Sequence, residues 1–166
     1  MDMVDQRFDI VDQAAYRNGM SRLGSSVSIV TTMFGGKRYG FTASAVCSVS
    51  DTPPTLLVCI NRPSSSFPAF DGTRHFCVNT LMRGQEAISD VFGGKTPSTD
   101  KFAYGEWSEG LTGVPVLKDA SVTFECELTT AVDEATHRVL FGRVVDIAEN
   151  AERATLLYCM RRYLRG

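Results

Sequence analysis

Short runs rich in β-branched residues, separated by residues that end strands, constrain the fold of this chain most. Val27 to Thr32 is one such run, and the pair Gly35-Gly36 separates it from a second run over Tyr39 to Ser50. Two strand-forming runs on either side of a glycine pair predict a hairpin. The second run ends at Asp51-Thr52-Pro53-Pro54, because the two prolines lack the amide donors that a strand ladder needs.

The rest of the chain continues in short segments. Further strands are predicted over Thr55 to Ile60, His75 to Leu81, Val122 to Leu128 and Val139 to Ile147, and an apolar segment over Thr155 to Met160. Helices are predicted over Arg7 to Leu23 and Gly84 to Phe92, with one helical turn between Asn61 and Thr73 and an irregular segment from Gly93 to Pro115. Strands and helices do not alternate as they do in a parallel sheet. The prediction is therefore a mostly β, antiparallel barrel or sandwich with a few flanking helices.

Two of these segments also have a predicted buried face. In the strand over Val122 to Leu128, the residues predicted to face the core are Val122, Phe124, Cys126 and Leu128, and those predicted to face water are Thr123, Glu125 and Glu127. In the helix over Gly84 to Phe92, the apolar side consists of Ala87, Ile88, Val91 and Phe92.

Length and charge exclude several classes of protein. With 166 residues, 43% of them hydrophobic, and a net charge of -2, the chain is typical of one globular domain over residues 1–166. A chain of this size builds a core without disulfides. The five cysteines (Cys47, Cys59, Cys77, Cys126 and Cys159) form no CxxC pair, so we expect buried thiols in a reducing, cytoplasmic compartment.

The expected partners are small molecules or proteins. The first residues are acidic where a signal peptide is basic, and no apolar run approaches the roughly 20 residues of a membrane helix. A pI near 5.7 with interspersed charges gives no basic stripe for a phosphate backbone. We therefore expect neither a membrane nor a nucleic acid as partner.

Several familiar enzyme motifs are absent. No two glycines stand two positions apart, so the GxGxxG dinucleotide fingerprint is missing, and a nicotinamide cofactor would bind without a Rossmann turn. The chain also lacks a GxSxG elbow and an HExxH motif, and it has two histidines. A hydrolase and a metal-dependent enzyme are therefore disfavoured, and no metal site is expected.

Small residues crowd the segment from Gly40 to Ser50. Thr42, Ala43, Ser44, Ala45 and Ser48 let a flat ligand lie against a strand, where backbone amides can donate to ring oxygens and nitrogens. An isoalloxazine ring fits that description. Composition alone leaves a second interpretation open, in which the small residues pack beneath a neighbouring helix.

Motifs spread along nearly the whole chain resemble the short-chain flavin reductase family. They are Arg17-Asn18-Gly19-Met20, the run TAxAxxSVSxxPP from Thr42 to Pro54, Cys59-Ile60-Asn61, Phe76-Cys77-Val78-Asn79, Lys101-Phe102, Gly113-Val114-Pro115-Val116-Leu117, Thr136-His137, Leu157-Tyr158 and Arg161-Arg162-Tyr163. The family includes the reductase components of two-component flavin monooxygenases such as the 4-hydroxyphenylacetate 3-monooxygenase system. Each motif is weak alone, and their order and spacing make the resemblance specific.

The resemblance implies a Greek-key split β-barrel, the FMN-binding split barrel, usually a homodimer with flavin near the subunit interface. It implies an NAD(P)H:flavin oxidoreductase that transfers hydride from NADH or NADPH to FMN or FAD and supplies reduced flavin to a partner monooxygenase. Two alternatives stay open. The flavin could remain bound and reduce another acceptor, such as a cobalt corrin or ferric iron, or the chain could be a noncatalytic flavin- or haem-binding barrel or an interaction module.

The resemblance also implies the site residues. Those expected around the flavin ring and ribityl chain are Thr42, Ala43, Ser44, Ala45, Ser48, Val49 and Ser50, and those at the phosphate end are Asn61, Ser64, Ser65 and Ser66. Further cofactor contacts are expected from Lys101, Phe102, Tyr158 and Arg161. His137 matches the family histidine associated with nicotinamide, although Ala135 stands where the family carries glycine. A solvated serine loop, a surface lysine and a surface histidine are the structural alternatives for these groups.

Overall fold

The computed structural model describes residues 9–95, 100–152 and 154–164. Its helices are α1 (Gln13–Met20), α2 (Phe67–Asp71) and α3 (Glu86–Phe92), with a 3-10 turn at Lys101–Ala103. Its strands are β1 (Ser25–Ser26), β2 (Ser28–Phe34), β3 (Lys37–Ala43), β4 (Val46–Asp51), β5 (Pro54–Asn61), β6 (His75–Thr80), β7 (Trp107–Glu109), β8 (Pro115–Leu117), β9 (Val122–Glu134), β10 (His137–Glu149), β11 (Leu157–Cys159) and β12 (Arg162–Tyr163).

Seven strands form one antiparallel sheet in the order β3-β2-β6-β9-β10-β5-β4. The β2–β3 hairpin turns at Gly35 and Gly36, whose φ values of 57° and 73° suit a tight hairpin turn that glycine forms readily. The β4–β5 hairpin turns at the cis Thr52-Pro53 bond, with Asp51 opposite Pro54. The first turn was predicted as a hairpin, whereas Asp51 to Pro54 was predicted only as the end of a strand.

The second β-rich run was predicted as continuous over Tyr39 to Ser50, and that prediction was wrong. The run divides at Ser44 and Ala45 into β3 and β4, which are the two edge strands of the sheet. The Ala45 carbonyl accepts a hydrogen bond from the Cys59 amide at 3.1 Å, so the sheet curls as the chain passes between its edges. This arrangement confirms the mostly β, split-barrel fold.

Two apolar clusters lie on either side of the curled sheet. Inside the curl the buried side chains include Phe41, Val58, Phe76 and Leu140. On the other side, α3 covers a cluster that includes Ile29, Leu81, Val91, Phe92 and Leu156. A three-stranded sheet in the order β1-β11-β12 and the β7–β8 hairpin complete the layers around α3.

Strand β9 has only part of the wet face that its alternation predicts. Glu127 is partly exposed, but Thr123 and Glu125 are 6% and 4% exposed, and the segment Gly110 to Thr112 covers Glu125. Glu125 accepts hydrogen bonds from the amides of Leu111 and Thr112 and from the Thr112 hydroxyl, at 2.7 to 2.9 Å. The buried carboxylate is therefore fully used by backbone and hydroxyl donors.

Other sequence predictions need smaller corrections. The helix predicted over Arg7 to Leu23 is shorter in the structure and spans Gln13–Met20. Arg7 and Phe8 lie outside the described residues. The Asp12 carboxylate caps the helix by accepting hydrogen bonds from the amides of Ala14 and Ala15. In α3, Ala87 is exposed and Ser89 is buried, because Ser89 faces β3 and β12.

The five cysteines are free, and only some are buried as expected. Cys77 and Cys126 are buried, Cys59 and Cys159 are partly buried, and Cys47 is exposed on edge strand β4. Among the described residues, no helix is long and apolar enough to cross a bilayer. Within the same residues, no three histidine, cysteine, aspartate or glutamate side chains are grouped so that they could hold a metal ion.

Candidate functional site

A groove of about 360 Å³, here called the main groove, lies where the chain leaves β3 and where β5 meets β10. Its lining residues are Phe41, Thr42, Ala43, Ser44, Ala45, Cys59, Asn61, Ser64, Phe92, Gly93 and His137. Six of the residues that the sequence predicts for the flavin are brought together in it, together with His137, which is predicted for the nicotinamide. The volume falls within the range of ordinary small-molecule sites.

One wall of the main groove is the end of β3 and the Ser44-Ala45 crossing. Ser44 and Ala45 are exposed and lie outside both strand ladders, so their backbone can face a ligand. The Thr42 hydroxyl donates to the Ser89 carbonyl at 2.7 Å, which fixes β3 to α3 and leaves that hydroxyl occupied. Small side chains therefore form a flat bed whose position is set by α3.

The opposite wall is a cross-strand pair. His137, the first residue of β10, lies in register with Asn61, the last residue of β5. The His137 side chain is exposed, and its Nδ1 lies 2.9 Å from the Thr136 hydroxyl. The sequence predicts separate roles for His137 and Asn61, and the sheet register places them side by side at the rim of the groove.

The turn that carries His137 contains Ala135 in the left-handed region, with φ of 49°. Glycine adopts this conformation at little cost, whereas alanine is strained by about 1 kcal/mol or more. Ala135 therefore takes the backbone conformation that glycine favours at the matching family position.

Four residues of the main groove are not among the predicted site residues: Phe41, Cys59, Phe92 and Gly93. Phe92 is the last residue of α3 and Gly93 follows it, some fifty residues after β3 in the chain. Cys59 lies partly buried on β5, and burial raises the pKa of its thiol. A protonated thiol is a poor nucleophile, so Cys59 acts here as a lining side chain.

A second cavity has a volume of about 290 Å³ and is here called the basic cavity. Its lining residues are Arg38, Tyr39, Gly40, Ser65, Ser66, Asp100, Lys101 and Phe102. It brings together four residues that the sequence predicts for the flavin, Ser65, Ser66, Lys101 and Phe102. Ser66 is 5% exposed and its hydroxyl donates to the Gly40 carbonyl at 2.8 Å, so it fixes the loop to β3.

Arg38 is a basic residue at this end that the sequence reasoning missed. Its guanidinium lies 4.7 Å from the centre of the Phe102 ring, a cation–π distance. Asp100 also lines the basic cavity, and its carboxylate accepts from the Phe102 amide at 3.0 Å. The two cations Arg38 and Lys101 outnumber this one carboxylate, so the cavity favours an anion.

Tyr158 lies in a third cavity of about 190 Å³, the tyrosine cavity, which shares Thr42, Ser44 and Gly93 with the main groove. Lys95 lies over the ring of Tyr158 at 5.7 Å. It also forms a 3.3 Å ion pair with Asp90 and therefore offers less charge to a ligand than a free cation. Lys95 was not predicted.

Four predicted residues lie apart from these cavities. Ser48, Val49 and Ser50 are on edge strand β4, outside the set of described residues that line the main groove. Arg161 lies in the β11–β12 turn, where its guanidinium donates to the Asn18 side chain at 2.6 Å. Their roles in binding stay predictions.

Residues 20–166 match the family model described as "Flavin reductase like domain". The FMN reductase (NADH) RutF of Ancylobacter novellus is 50% identical over 153 residues, covering 92% of this chain and 84% of the relative. The protein of the same name in Escherichia coli O157:H7 is 48% identical over 155 residues, covering 93% and 94%.

Solved structures give the same likeness. A proposed flavin reductase from Haemophilus somnus superposes with a TM-score of 0.89 at 39% identity, covering 93% of this chain and 99% of that one. A homologue of nitrilotriacetate monooxygenase component B from Mycobacterium thermoresistibile superposes with a TM-score of 0.85 at 30% sequence identity. The match covers 92% of this chain and 86% of that one. The NADH:FAD oxidoreductase of Streptomyces globisporus, in complex with NAD and FAD fragments, superposes with a TM-score of 0.86 at 25% sequence identity. The match covers 96% of this chain and 97% of that one.

Proposed function

Because the chain belongs to the flavin reductase like domain family and is an oxidoreductase that acts on flavin, we propose that it reduces FMN with NADH in the main groove. The observation that carries this proposal is the convergence of Thr42 to Ala45, Asn61, Ser64 and His137 on that groove. These residues come from three separate parts of the chain. The names of the RutF relatives supply FMN and NADH as the substrates.

The main groove fits a flavin ring on its own chemistry. Ala43, Ser44 and Ala45 add little beyond their Cβ atoms, so a planar ring can approach the backbone. The amides of Ser44 and Ala45 are outside the strand ladders and can be directed at ring oxygens and nitrogens. Phe41 and Phe92 add apolar surface to the lining.

The phosphate of FMN is assigned to the basic cavity. Arg38 and Lys101 supply positive charge, and the Ser65 hydroxyl supplies a directed donor next to Ser64. A charged donor makes a shorter and stronger hydrogen bond to phosphate than a neutral one. The flavin then extends along β3, from Ser44 back to Arg38, a distance of about 20 Å at the usual strand rise.

His137 is proposed to position the nicotinamide at the open side of the ring bed. A bound flavin would accept a hydride from NADH, which is chemistry that the cofactors carry themselves. The protein's contribution is alignment, because hydride donor and acceptor must approach to about 3 to 3.5 Å. The exposed imidazole at the rim, held by Thr136 and beside Asn61, is placed for that task.

The test is NADH oxidation by the purified protein with added FMN. We expect NADH to be oxidised much faster with the protein than in buffer alone. We expect Ala45→Phe to raise the KM for FMN, because the new phenyl ring would occupy the bed that the flavin ring needs. Ala148→Phe, the same change at an exposed position at the far end of β10, is the matched control. A wild-type rate equal to buffer, or a folded Ala45→Phe protein with an unchanged KM for FMN, would overturn the proposal.

We also propose that reduced flavin passes to an oxygenase component and that the chain works as a homodimer. The likeness to nitrilotriacetate monooxygenase component B supports the first part. Exposed apolar side chains around α1, among them Val11 at 67%, Tyr16 at 59% and Leu23 at 64%, support the second. Sedimentation should give about twice the chain mass of 18.2 kDa, and a monomer at all concentrations would contradict the dimer.

We further propose that residues 1–166 form one domain that works in the cytoplasm. The five free cysteines support a reducing compartment, because such compartments keep thiols reduced.

A further inference from the structure

An ionic cluster lies one residue beyond His137 and belongs to none of the roles described so far. Its centre is Arg138. Because side chains alternate along a strand, Arg138 lies on the same side of β10 as the buried Leu140 and on the opposite side from His137. The Arg138 side chain is 18% exposed. A guanidinium this far removed from water needs partners for its charge and its donors.

The guanidinium of Arg138 finds these partners in two parts of the chain. Across the β9–β10 ladder it donates to the Asp133 carboxylate, from Nε at 2.5 Å and from Nη2 at 3.0 Å. From Nη1 it donates to the carboxylate of Asp71, the last residue of α2. It also lies 4.8 Å from the ring centre of Phe67, the first residue of α2. This side chain therefore fixes both ends of α2 to the hairpin that carries His137.

Helix α2 in turn holds the loop formed by Ser64, Ser65 and Ser66, here called the serine loop. Ser64 lines the main groove, and Ser65 and Ser66 line the basic cavity. The Phe67 amide donates to the Ser64 carbonyl at 3.0 Å. The Ala69 amide donates to the Ser66 carbonyl at 3.1 Å. The serine loop is therefore bonded to the first turn of α2, so a shift of the helix shifts the loop as well.

Little packing holds the end of the hairpin that carries His137. The last six residues of β9, residues 129–134, are exposed, and so is His137. The ladder with β5 holds β10, and the Arg62 amide donates to the Thr136 carbonyl at 3.0 Å. The Arg138 cluster adds a contact on the opposite side, where α2 lies. The distance between the exposed hairpin end and the serine loop therefore depends on Arg138.

We propose that Arg138 is a positioning residue for hydride transfer, which sets the distance between the serine loop and His137. The inference rests on the proposed function, in which the serine loop helps to hold the flavin phosphate and His137 orients the nicotinamide. Arg138 acts through α2 and through the hairpin, from the side of β10 opposite to His137. Because the hydride donor and acceptor must approach to about 3 to 3.5 Å, a small change in this distance slows the transfer.

The test compares Arg138→Gln with Arg143→Gln, the same change further along β10. Arg143 forms an exposed ion pair with Glu127 at 2.5 Å and is not among the residues that line the main groove or the basic cavity. The rate constant of FMN reduction is measured in a single turnover without oxygen, with saturating NADH and with protein in excess over FMN. A loss of folded protein lowers the amplitude of this reaction, whereas a loss of alignment lowers its rate constant.

We expect Arg138→Gln to lower the rate constant at least about tenfold, since a misplacement of about 1 Å costs up to about 100-fold. The dissociation constant for FMN should change less, because the groups proposed to bind the phosphate are kept. Arg143→Gln should reduce FMN as fast as the wild type. In Arg138→Lys the charge is kept, but an ammonium lacks the fork that holds two carboxylates, so its rate constant should lie between those of the wild type and Arg138→Gln.

Asp71→Asn tests the connection from the side of α2. Alone it should slow FMN reduction, because the bond between the helix and the hairpin is weakened. Combined with Arg138→Gln it should slow the reaction no further, because that connection is already broken. Independent effects that multiply in the double variant would contradict a connection through this pair.

An unchanged rate constant in folded Arg138→Gln, or equal losses in Arg138→Gln and Arg143→Gln, would overturn the positioning role. Failure of the proposed function is a different result. A wild type that reduces FMN no faster than buffer overturns the proposed function and the positioning role together, whereas an active wild type with an equally active Arg138→Gln overturns the positioning role alone.

Discussion

The Glu125 carboxylate holds the turn that leads into β8 by accepting three hydrogen bonds while 4% exposed. Glu125→Ala leaves the amides of Leu111 and Thr112 without this partner. Bonds to a charged acceptor contribute about 1.5 to 3 kcal/mol each, and partial rehydration offsets some of the loss. We expect the free energy of unfolding in urea to fall by about 2 to 4 kcal/mol.

Glu127, two positions along β9, provides the control for that variant. Its carboxylate forms an exposed ion pair with Arg143, and exposed pairs contribute about 0 to 1 kcal/mol. Glu127→Ala should therefore lower the unfolding free energy much less. Equal losses for the two variants would contradict the structural role of Glu125.

His137 is the side chain whose replacement should separate binding of the two substrates. His137→Asn is expected to raise the KM for NADH by roughly 2- to 12-fold, the value of one lost hydrogen bond, with a smaller change in the KM for FMN. The matched control is His75→Asn, which changes the chain's other histidine. His75 lies on β6 and does not line the main groove. An unchanged KM for NADH in His137→Asn would remove His137 from the nicotinamide site.

Asp90 gives the chain a pH dependence with a definite sign. The Tyr163 hydroxyl, which donates to Asp90 at 2.6 Å, lowers the pKa of that carboxyl, and Lys95 lowers it further against the opposing effect of burial. Because the folded pKa is below the unfolded one, the stabilisation is present above pH about 4 and is lost as pH falls through the folded pKa. Tyr163→Phe should raise the pKa of Asp90 in an NMR titration, and an unchanged pKa would contradict this contact.

At the scale of elements, the β9–β10 turn stores local strain. Ala135 has a φ of 49°, so Ala135→Gly should raise the unfolding free energy by about 0.5 to 1 kcal/mol and leave the sheet unchanged. Gly36→Ala tests the same principle in reverse at the β2–β3 turn, where φ is 73°. Thermal unfolding should show opposite shifts for the two variants, and a loss of stability in Ala135→Gly would be inconsistent with the described turn.

The sequence predicts the elements whose signals are local. The hairpin at Gly35-Gly36 and the strand end at Pro53-Pro54 were both predicted, because glycine and proline determine backbone conformation within a few residues. The break at Ser44 and Ala45 could not be predicted in this way. It depends on the bond between Ala45 and Cys59, which forms only once the sheet curls.

Burial and cavity lining depend on partners that are distant in the chain. The alternation around Glu125 is typical of a strand with one wet face, but a loop from residues 110–112 covers Glu125 on that face. Arg38 also carries no local signal, because its role depends on Phe102 and on the basic cavity that it lines. The resemblance predicted Thr42 to Ala45, Asn61 and His137 at the site. Phe92, Gly93 and Arg38 were identified only from the fold.

For the molecule as a whole, the core should protect some thiols and leave others reactive. Burial raises the pKa of Cys126 to about 12, and it raises the pKa of the buried Cys77 well above the ordinary value. Cys47 is exposed on an edge strand. A thiol reagent should therefore modify Cys47 fast in the native protein, with Cys77 and Cys126 reacting after denaturation.

The matched variant for this measurement is Cys47→Ser, which should remove the fast phase and leave the slow ones. Fast modification of Cys77 or Cys126 in the native protein, located by mass spectrometry, would contradict the described packing.

The central claim is that the bed between β3 and β4 receives the flavin ring, and a crystal structure of the protein grown with FMN tests it most directly. The account predicts the ring against the backbone of Thr42 to Ala45, with the phosphate near Arg38 and Lys101 and His137 at the open face. Electron density that places the ring elsewhere on the protein, with the main groove empty, would contradict it.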